Sequence, residues 1–365
     1  MIVLYNCYGC GVCAIVCPAK IIKIKLNVAG FYVPVILDKK KCIRCGLCKS
    51  VCSFIAENKQ KKLIKPKGYA TWSNNKAIRM QSSSGGTGFE IAKYLLERGY
   101  KVICVRYNPI KGRAEHYLAG TVDELMPSMG SKYIPSYTLE GFSKINKNDK
   151  FFIIGTPCQI DSIYRFIHKS GIEDNFILMD FFCHGVPSML LWKKYLKEIN
   201  RENRKIISIS WRNKHSGWHN SFVVAINGEI PVNGAIFFKF FLGNMCFNKS
   251  CYSSCKYKGI DSYADIRIGD LWGIKYSSNE DGVTGLVTFT EKGENVLKNI
   301  KSCSIINENI DTITEGQQKE MINEPYYYSL LNKLFRTPFS LAMLYRLVQL
   351  LQIGKLIRNK LKKGK

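Results

Sequence analysis

The chain is poor in histidine and in acid, and it has no long apolar run. Only five of its 365 residues are histidine, and none of these falls within residues 1–65. Structural zinc sites use separated cysteine pairs and often histidine, so this absence speaks against zinc where the cysteines are densest. No run reaches the roughly eighteen apolar residues of a membrane span. The start, MIVLYNCYGC, lacks the charged segment and uninterrupted apolar stretch of a secretory leader. These absences predict a cytoplasmic protein, in which thiols stay reduced and clustered cysteines mean metal or redox chemistry. At 46% hydrophobic residues the chain can bury a core without staples, so its fifteen cysteines are not needed as a disulfide scaffold.

Acid is scarce: 28 Asp and Glu face 54 Lys and Arg, a formal charge of +26. The basic residues are spread along the chain and the aromatics sit mainly in apolar runs, which predicts a lysine-rich solvated surface and no nucleic-acid partner. Such a surface suits an acidic electron carrier or a phosphate-bearing cofactor.

What is abundant is cysteine at regular spacing. Cys7, Cys10, Cys13 and Cys17 follow C-x2-C-x2-C-x3-C with Pro18 after them, and Cys42, Cys45, Cys48 and Cys52 repeat the pattern with Ser53 in place of proline. Three cysteines at x2 spacing wrap one cubane, while the fourth serves the other cluster. Cys7, Cys10, Cys13 and Cys52 are therefore expected to hold one 4Fe-4S cluster, and Cys42, Cys45, Cys48 and Cys17 a second. This stretch resembles a bacterial-type dicluster ferredoxin. Between the runs, KIIKIKLNVAGFYVPVILD alternates like a hairpin turning near Asn27 to Gly30.

Residues 57–68 read as a charged linker between two self-contained units. Beyond them, strands (KVICVRY, FFIIG, NFILMDFF) alternate with amphipathic helices (FEIAKYLLERG, IDSIYRFIHKSG, SMLLWKKYLKEIN), which is α/β order. Two of the strands end in cysteine-bearing loops, at Cys158 and Cys183. Ligands bind at such strand ends in open α/β sheets. With Cys251 and Cys255 in NKSCYSSCKYKG, the chain has four further thiols. SSSGGTGFEIAKY, residues 82–94, sets serines and glycines before a helix, which serves either to receive a phosphate or as a plain N-cap.

Taken in order, SSSGG, GSKYIPS, GTPCQ, CHGVPS, SCYSSCKYKG and DIRIGDLWG resemble the coenzyme F420 hydrogenase/dehydrogenase beta-subunit family, from about Gly68 to about Ile300. The resemblance implies an α+β ferredoxin-like dicluster domain (residues 1–65) followed by an α/β flavin-binding domain (66–305). A helical extension with a basic tail (306–365) completes the chain. It further implies FAD on Ser83, Ser84, Gly85 and Gly86, with Lys132, Tyr133 and Thr156 as further contacts, and a third 4Fe-4S cluster on Cys158, Cys183, Cys251 and Cys255. The last pair is C-x3-C here where the family has C-x2-C, which makes Cys246 a reserve ligand. Cys104 and Cys303, among apolar neighbours, read as packing residues.

The function implied is an iron–sulfur flavoprotein oxidoreductase exchanging electrons between its clusters, FAD and a soluble hydride acceptor or donor such as coenzyme F420. A redox protein such as ferredoxin would be its partner. The alternative is a non-catalytic electron-transfer subunit serving a partner enzyme, for instance in polysaccharide biosynthesis. No catalytic residue is assigned; His184 and Asp180 are the nearest acid–base candidates. Residues 339–365 place apolar side chains on a helical period and end in lysines. They are expected either to pack on the body or to make peripheral contact with an anionic membrane.

Overall fold

The computed structural model describes residues 7–55, 64–200 and 204–363, so most of the expected linker lies outside the described residues. In the N-terminal module, β1 (Ile22–Leu26) pairs antiparallel with β2 (Tyr32–Ile36), from Ile22 opposite Ile36 to Leu26 opposite Tyr32. The turn is closed by the Asn27 side chain, which accepts the Ala29 and Phe31 N–H groups, and by Gly30 at φ 82°. The hairpin is the one the alternation predicts. Each cysteine run continues into one helical turn, Val12–Ile15 and Leu47–Ser50, entered through Gly11 and Gly46. Both glycines have φ 77°, a left-handed conformation that glycine adopts at no steric cost.

The second domain is built on one sheet. Its strands are β3 (Lys67–Ser73), β4 (Tyr100–Asn108), β5 (Arg113–Ala119), β6 (Ser136–Tyr137), β7 (Lys150–Ile154) and β8 (Phe176–Phe181). After a separate two-stranded pair, β9 (Ile209–Ser210) and β10 (Ala225–Ile226), come β11 (Ile266–Asp270), β12 (Thr284–Thr288) and β13 (Cys303–Glu308). The order is β13-β3-β12-β11-β8-β7-β4-β5-β6. The four strands at its centre, β11, β8, β7 and β4, are mutually parallel. The flanks differ from a simple α/β reading, because β12 runs antiparallel to both β11 and β3, and β5 antiparallel to β4. The four residues between β4 and β5 are too few for the crossover that a parallel pair requires.

Side-chain alternation sorts the core into two layers. Phe152 and Ile177 face the helices Thr87–Leu96 and Glu291–Asn299 through Ile91, Leu95, Val296 and Leu297. Phe151, Ile153, Phe176 and Leu178 face the opposite way, onto Ile160 and Ile163 of helix Pro157–Lys169. Tyr8, Cys10, Val12 and Val51 of the N-terminal module belong to this second layer. The two units thus share a core and are not packed as separate bodies.

A third cluster is aromatic, with Trp192, Trp211, Phe237, Phe240 and Phe247 at its centre. Helix Leu341–Lys363 docks on it through Leu341, Leu344 and Val348, then leaves the body with Leu350 at 66% and Leu356 at 62% exposure. Among the described residues no helix is long and apolar enough to cross a membrane.

Candidate metal centres and cofactor cavity

The N-terminal thiols fall into two neighbourhoods. Burial, then repulsion from Cys10, Cys7, Cys52 and Cys48, pushes the Cys13 thiol well above its ordinary range. Burial, followed by Cys10 and Cys52, takes Cys7 up to about 12. Cys48 is raised by burial, with Cys45 and Cys17 adding to it. Cys52 thus neighbours the first run and Cys17 the second, and Cys48 of the second run also acts on Cys13. Buried sulfurs that repel one another this way become thiolates where a metal brings positive charge, so the donor set fits an iron–sulfur cluster. Among the described residues no three His, Cys, Asp or Glu side chains converge as the ligands of a single ion would.

A third neighbourhood forms at the C-terminal edge of the parallel strands. Cys158 follows β7 and Cys183 follows β8, while Cys251 and Cys255 approach from the segment before β11. Burial raises Cys251 to about 12, with Cys183 and Cys255 contributing. Burial also raises Cys158, beside Cys183, Cys251 and Cys10. Cys10 belongs to the first run, so this third neighbourhood adjoins the first. Lys258 is buried here, and its ammonium donates to the carbonyls of Cys183 and His184, 3.0 Å each. Cys246 instead sits in the aromatic core near Tyr252 and Tyr328. The lengthened C-x3-C loop has a local use: the carbonyl of Ser254 accepts the Tyr8 hydroxyl, tying the loop to the first cysteine run.

Between these neighbourhoods and the sheet lies a cavity of about 610 Å³. Ser82, Ser83, Ser84 and Gly86 form one wall, Tyr8, Gly9 and Tyr32 another, and Cys183, His184, Asp270 and Trp272 close it. Helix Thr87–Leu96 starts at this wall from Gly86 (φ 85°) with no side-chain cap and with Glu90 in its first turn, so its N-terminal end borders the cavity.

Residues 68–142 match the family described as coenzyme F420 hydrogenase/dehydrogenase, beta subunit N-terminus, and residues 148–312 match its C-terminal counterpart. The chain belongs to this family. Residues 6–55 match the 4Fe-4S dicluster domain, so the N-terminal module of this beta-subunit relative is an iron–sulfur domain. The coenzyme F420-dependent sulfite reductase of Methanocaldococcus jannaschii is 27% identical over 163 residues, 44% of this chain and 25% of that protein. An uncharacterized protein of the same organism is 26% identical over 214 residues, 48% of this chain and 56% of its own length. The chain spans a quarter and about half of these two relatives. A chain of the F420-reducing NiFe hydrogenase complex from Methanosarcina barkeri, solved as a xenon derivative, gives a TM-score of 0.47. It is 15% identical, over 74% of this chain and 87% of that one.

The family's expected cofactor residues converge unevenly. Ser83, Ser84, Gly86, Lys132, Tyr133 and Thr156 line the cavity. Gly85 lies behind it: a Cβ there would stand 2.5 Å from the Thr71 carbonyl oxygen and 2.8 Å from the Thr284 nitrogen, so this glycine serves the packing of loop on sheet. Lys132 reaches the wall, but its ammonium donates to the carbonyls of Pro127, Ser128, Met129 and Gly130 at 2.8–3.0 Å and is spent on bracing its own loop. Lys214, unforeseen from sequence, does the same for the Ser/Gly loop through the carbonyls of Arg79, Ser84 and Asp281. Burial draws its ammonium down to about 7.

Asp180 is removed from acid–base work. Both its oxygens accept from Arg267 at 2.7 Å, with each side chain fully buried, and Ser262 donates a further bond of 2.7 Å. His184 does line the cavity, beside Phe241 and Phe247, and its Nε2 has no hydrogen-bond partner. Burial, then the charge of Lys258, lowers its pKa, so a neutral imidazole is favoured.

Sequence reasoning missed Asp270, although it lies within the quoted DIRIGDLWG. Its carboxylate accepts from Arg212 (3.2 Å) and from the Trp218 indole (2.9 Å), and Trp218 stacks on the cavity-lining Trp272 with centroids 4.7 Å apart. The signal available was an acidic residue at a strand C-terminus.

Proposed function

We propose that the chain is an iron–sulfur flavoprotein oxidoreductase. Cys7, Cys10, Cys13 and Cys52 hold one 4Fe-4S cluster and Cys17, Cys42, Cys45 and Cys48 a second. Cys158, Cys183, Cys251 and Cys255 hold a third, and FAD occupies the cavity. When bound, the clusters supply one-electron transfer and the flavin two-electron exchange at the hydride level with a soluble partner such as coenzyme F420. The observation that carries the reading is the composition of the cavity wall, where a cysteine run of the iron–sulfur module, a strand-end cysteine and an uncapped helix N-terminus meet.

The chain's own residues have definable tasks. The first-turn N–H groups of helix Thr87–Leu96 receive a pyrophosphate, as helix N-termini do. Lys214 and Lys132 hold the loops that shape this end of the cavity. Trp272, backed by Trp218 and fixed through Asp270, offers a flat apolar wall to a ring system.

Anaerobic purification with cluster reconstitution tests the proposal, by assay of bound flavin and of reoxidation of the reduced protein by deazaflavin, ferredoxin and nicotinamides in parallel. Stoichiometric FAD with reoxidation by the deazaflavin is expected. Absence of flavin, with electron exchange only to ferredoxin, would favour the non-catalytic carrier.

We also infer a lipid contact for the free end of helix Leu341–Lys363. Leu350, Ile353, Leu356 and Ile357 are exposed beside Lys355, Arg358 and Lys360, and residues 325–365 contain no acid. Apolar side chains exposed next to uncompensated cations match an anionic bilayer surface. Sedimentation with phosphatidylserine vesicles, and not with phosphatidylcholine vesicles, is expected; equal or absent binding to both would return the segment to solvent.

A further inference from the structure

The second cysteine run departs from the first at one position, where Ser53 replaces proline. Ser53 is 1% exposed and makes four bonds across the boundary between the domains, one of them from the Lys256 ammonium to its carbonyl (3.3 Å). Its N–H donates to Ser162 Oγ (3.3 Å), its hydroxyl donates to the Cys158 carbonyl (3.0 Å), and it accepts from the Ser162 hydroxyl (2.8 Å). Ser162, 0% exposed on helix Pro157–Lys169, in turn lies 3.2 Å from Cys10 Sγ. With Cys10 as a thiol, donation therefore runs one way, from Cys10 to Ser162 to Ser53 to the Cys158 carbonyl.

A ligated thiolate has no proton to give. Ser162 Oγ then lacks its thiol donor, and the buried sulfur, already beside the Val12 N–H, becomes an acceptor that a second donor can answer. Both requirements are met if the two hydroxyls turn about their C–O bonds. Ser162 donates to Cys10 Sγ, and the Ser53 hydroxyl and N–H both donate to Ser162 Oγ. No proton leaves either serine. The Cys158 carbonyl, in the first turn of its helix, keeps the i+4 N–H that helix geometry supplies. Proline at position 53 could offer neither the N–H nor the hydroxyl.

We propose that Ser162, supported by Ser53, is a positioning residue that hydrogen-bonds the ligated Cys10 sulfur and so raises the reduction potential of the cluster served by Cys7, Cys10, Cys13 and Cys52. The inference rests on the ligand assignment under Proposed function. Reduction adds one electron and spreads negative charge onto the thiolates, and a donor fixed on a sulfur favours that state. The donor comes from the other domain, so the potential of this cluster is set by the docked domain and not by the ferredoxin-like module alone.

The test is potentiometry followed by electron paramagnetic resonance on the full, reconstituted chain. In Ser162→Ala the iron content stays at the wild-type value. The reduction equilibrium constant of one cluster falls about tenfold, which for one electron is ~59 mV, while the other clusters keep theirs. Ser53→Ala shifts the same cluster in the same direction by less, and Ser162→Thr, which keeps the hydroxyl, stays near wild type. Unchanged potentials in Ser162→Ala at full iron would overturn the proposal. Should that variant not fold, wild-type protein exchanged into deuterium oxide decides: a deuteron coupled to the reduced cluster is expected, and its absence overturns the proposal. A Cys10→Ser protein with undiminished iron would instead refute the ligand assignment.

Discussion

The two groups of cysteines in this chain are built in different ways. The N-terminal eight lie within residues 7–52, at spacings of two and three, so chain geometry alone brings most of them together. Cys158, Cys183, Cys251 and Cys255 are scattered, and they meet because β7 and β8 are parallel neighbours whose ends open on the same edge of the sheet. The comparison shows that thiols can be gathered locally or by topology, and that the second kind of gathering depends on every element supporting the sheet. The modules nevertheless lean on each other through one shared core layer and the Ser53–Ser162 contact.

Removing residues 1–65 is the harshest test of that dependence. It would take Tyr8, Cys10, Val12 and Val51 out of the core layer they share with the second domain. Single large-to-small changes in a core cost ~2–5 kcal/mol and a domain's whole stability is ~5–15 kcal/mol, so the truncated chain is expected not to accumulate as folded protein. Solubility and circular-dichroism melts of the truncated chain check this, and a cooperative melt near that of the full chain would restore the picture of two self-contained units.

Next in size is Cys183→Ser, which is expected to lower bound iron from about twelve to about eight per chain, leaving the N-terminal pair intact. Iron and acid-labile sulfide counts read it out, and a reconstituted wild type already at about eight would remove the third cluster.

Asp180→Asn probes the sheet beneath the scattered cysteines. It strands the buried Arg267 charge, and breaking a buried pair from one side costs ~3–5 kcal/mol. The denaturation midpoint should fall accordingly, while the iron ascribed to the N-terminal module should survive in the protein that remains folded.

The smallest effect is on pH dependence. His116 on β5 is fully buried, with Nε2 3.2 Å from the Ile154 carbonyl oxygen and Nδ1 3.0 Å from Ser136 Oγ. Burial lowers its pKa from 6.5 to about 3. The folded state thus binds this proton less readily than the unfolded state. The stability it protects is present above the unfolded value of ~6.5 and is lost as pH falls from there toward the folded value. His116→Gln is expected to flatten the decline of the melting temperature below pH 6.5. Described residues of the N-terminal module include no histidine, so no matching transition is expected there.

Much of this was legible in the sequence, and the limits are physical. The hairpin, the strands ending at Cys158 and Cys183 and the helix following the Ser/Gly loop all follow from spacing and periodicity, which are local. The roles of Lys132, Asp180 and Gly85 did not. Whether a lysine meets a phosphate or four carbonyls, whether a carboxylate is free or locked to an arginine eighty-seven positions away, and which face of a glycine meets the sheet are settled by contacts between segments distant in the chain.

By itself, then, the sequence determined the iron–sulfur character of the N-terminal module and the order of the elements that follow, because cysteine spacing and hydrophobic period act over a few residues. Only the tertiary structure decided how the sheet is ordered, that the four scattered thiols share one edge of it, and that Ser53, standing where the first run has proline, bonds across to Ser162 and Cys158. Those outcomes depend on which surfaces bury one another, and the burial couples residues more than a hundred positions apart, as Ser53 and Ser162 are.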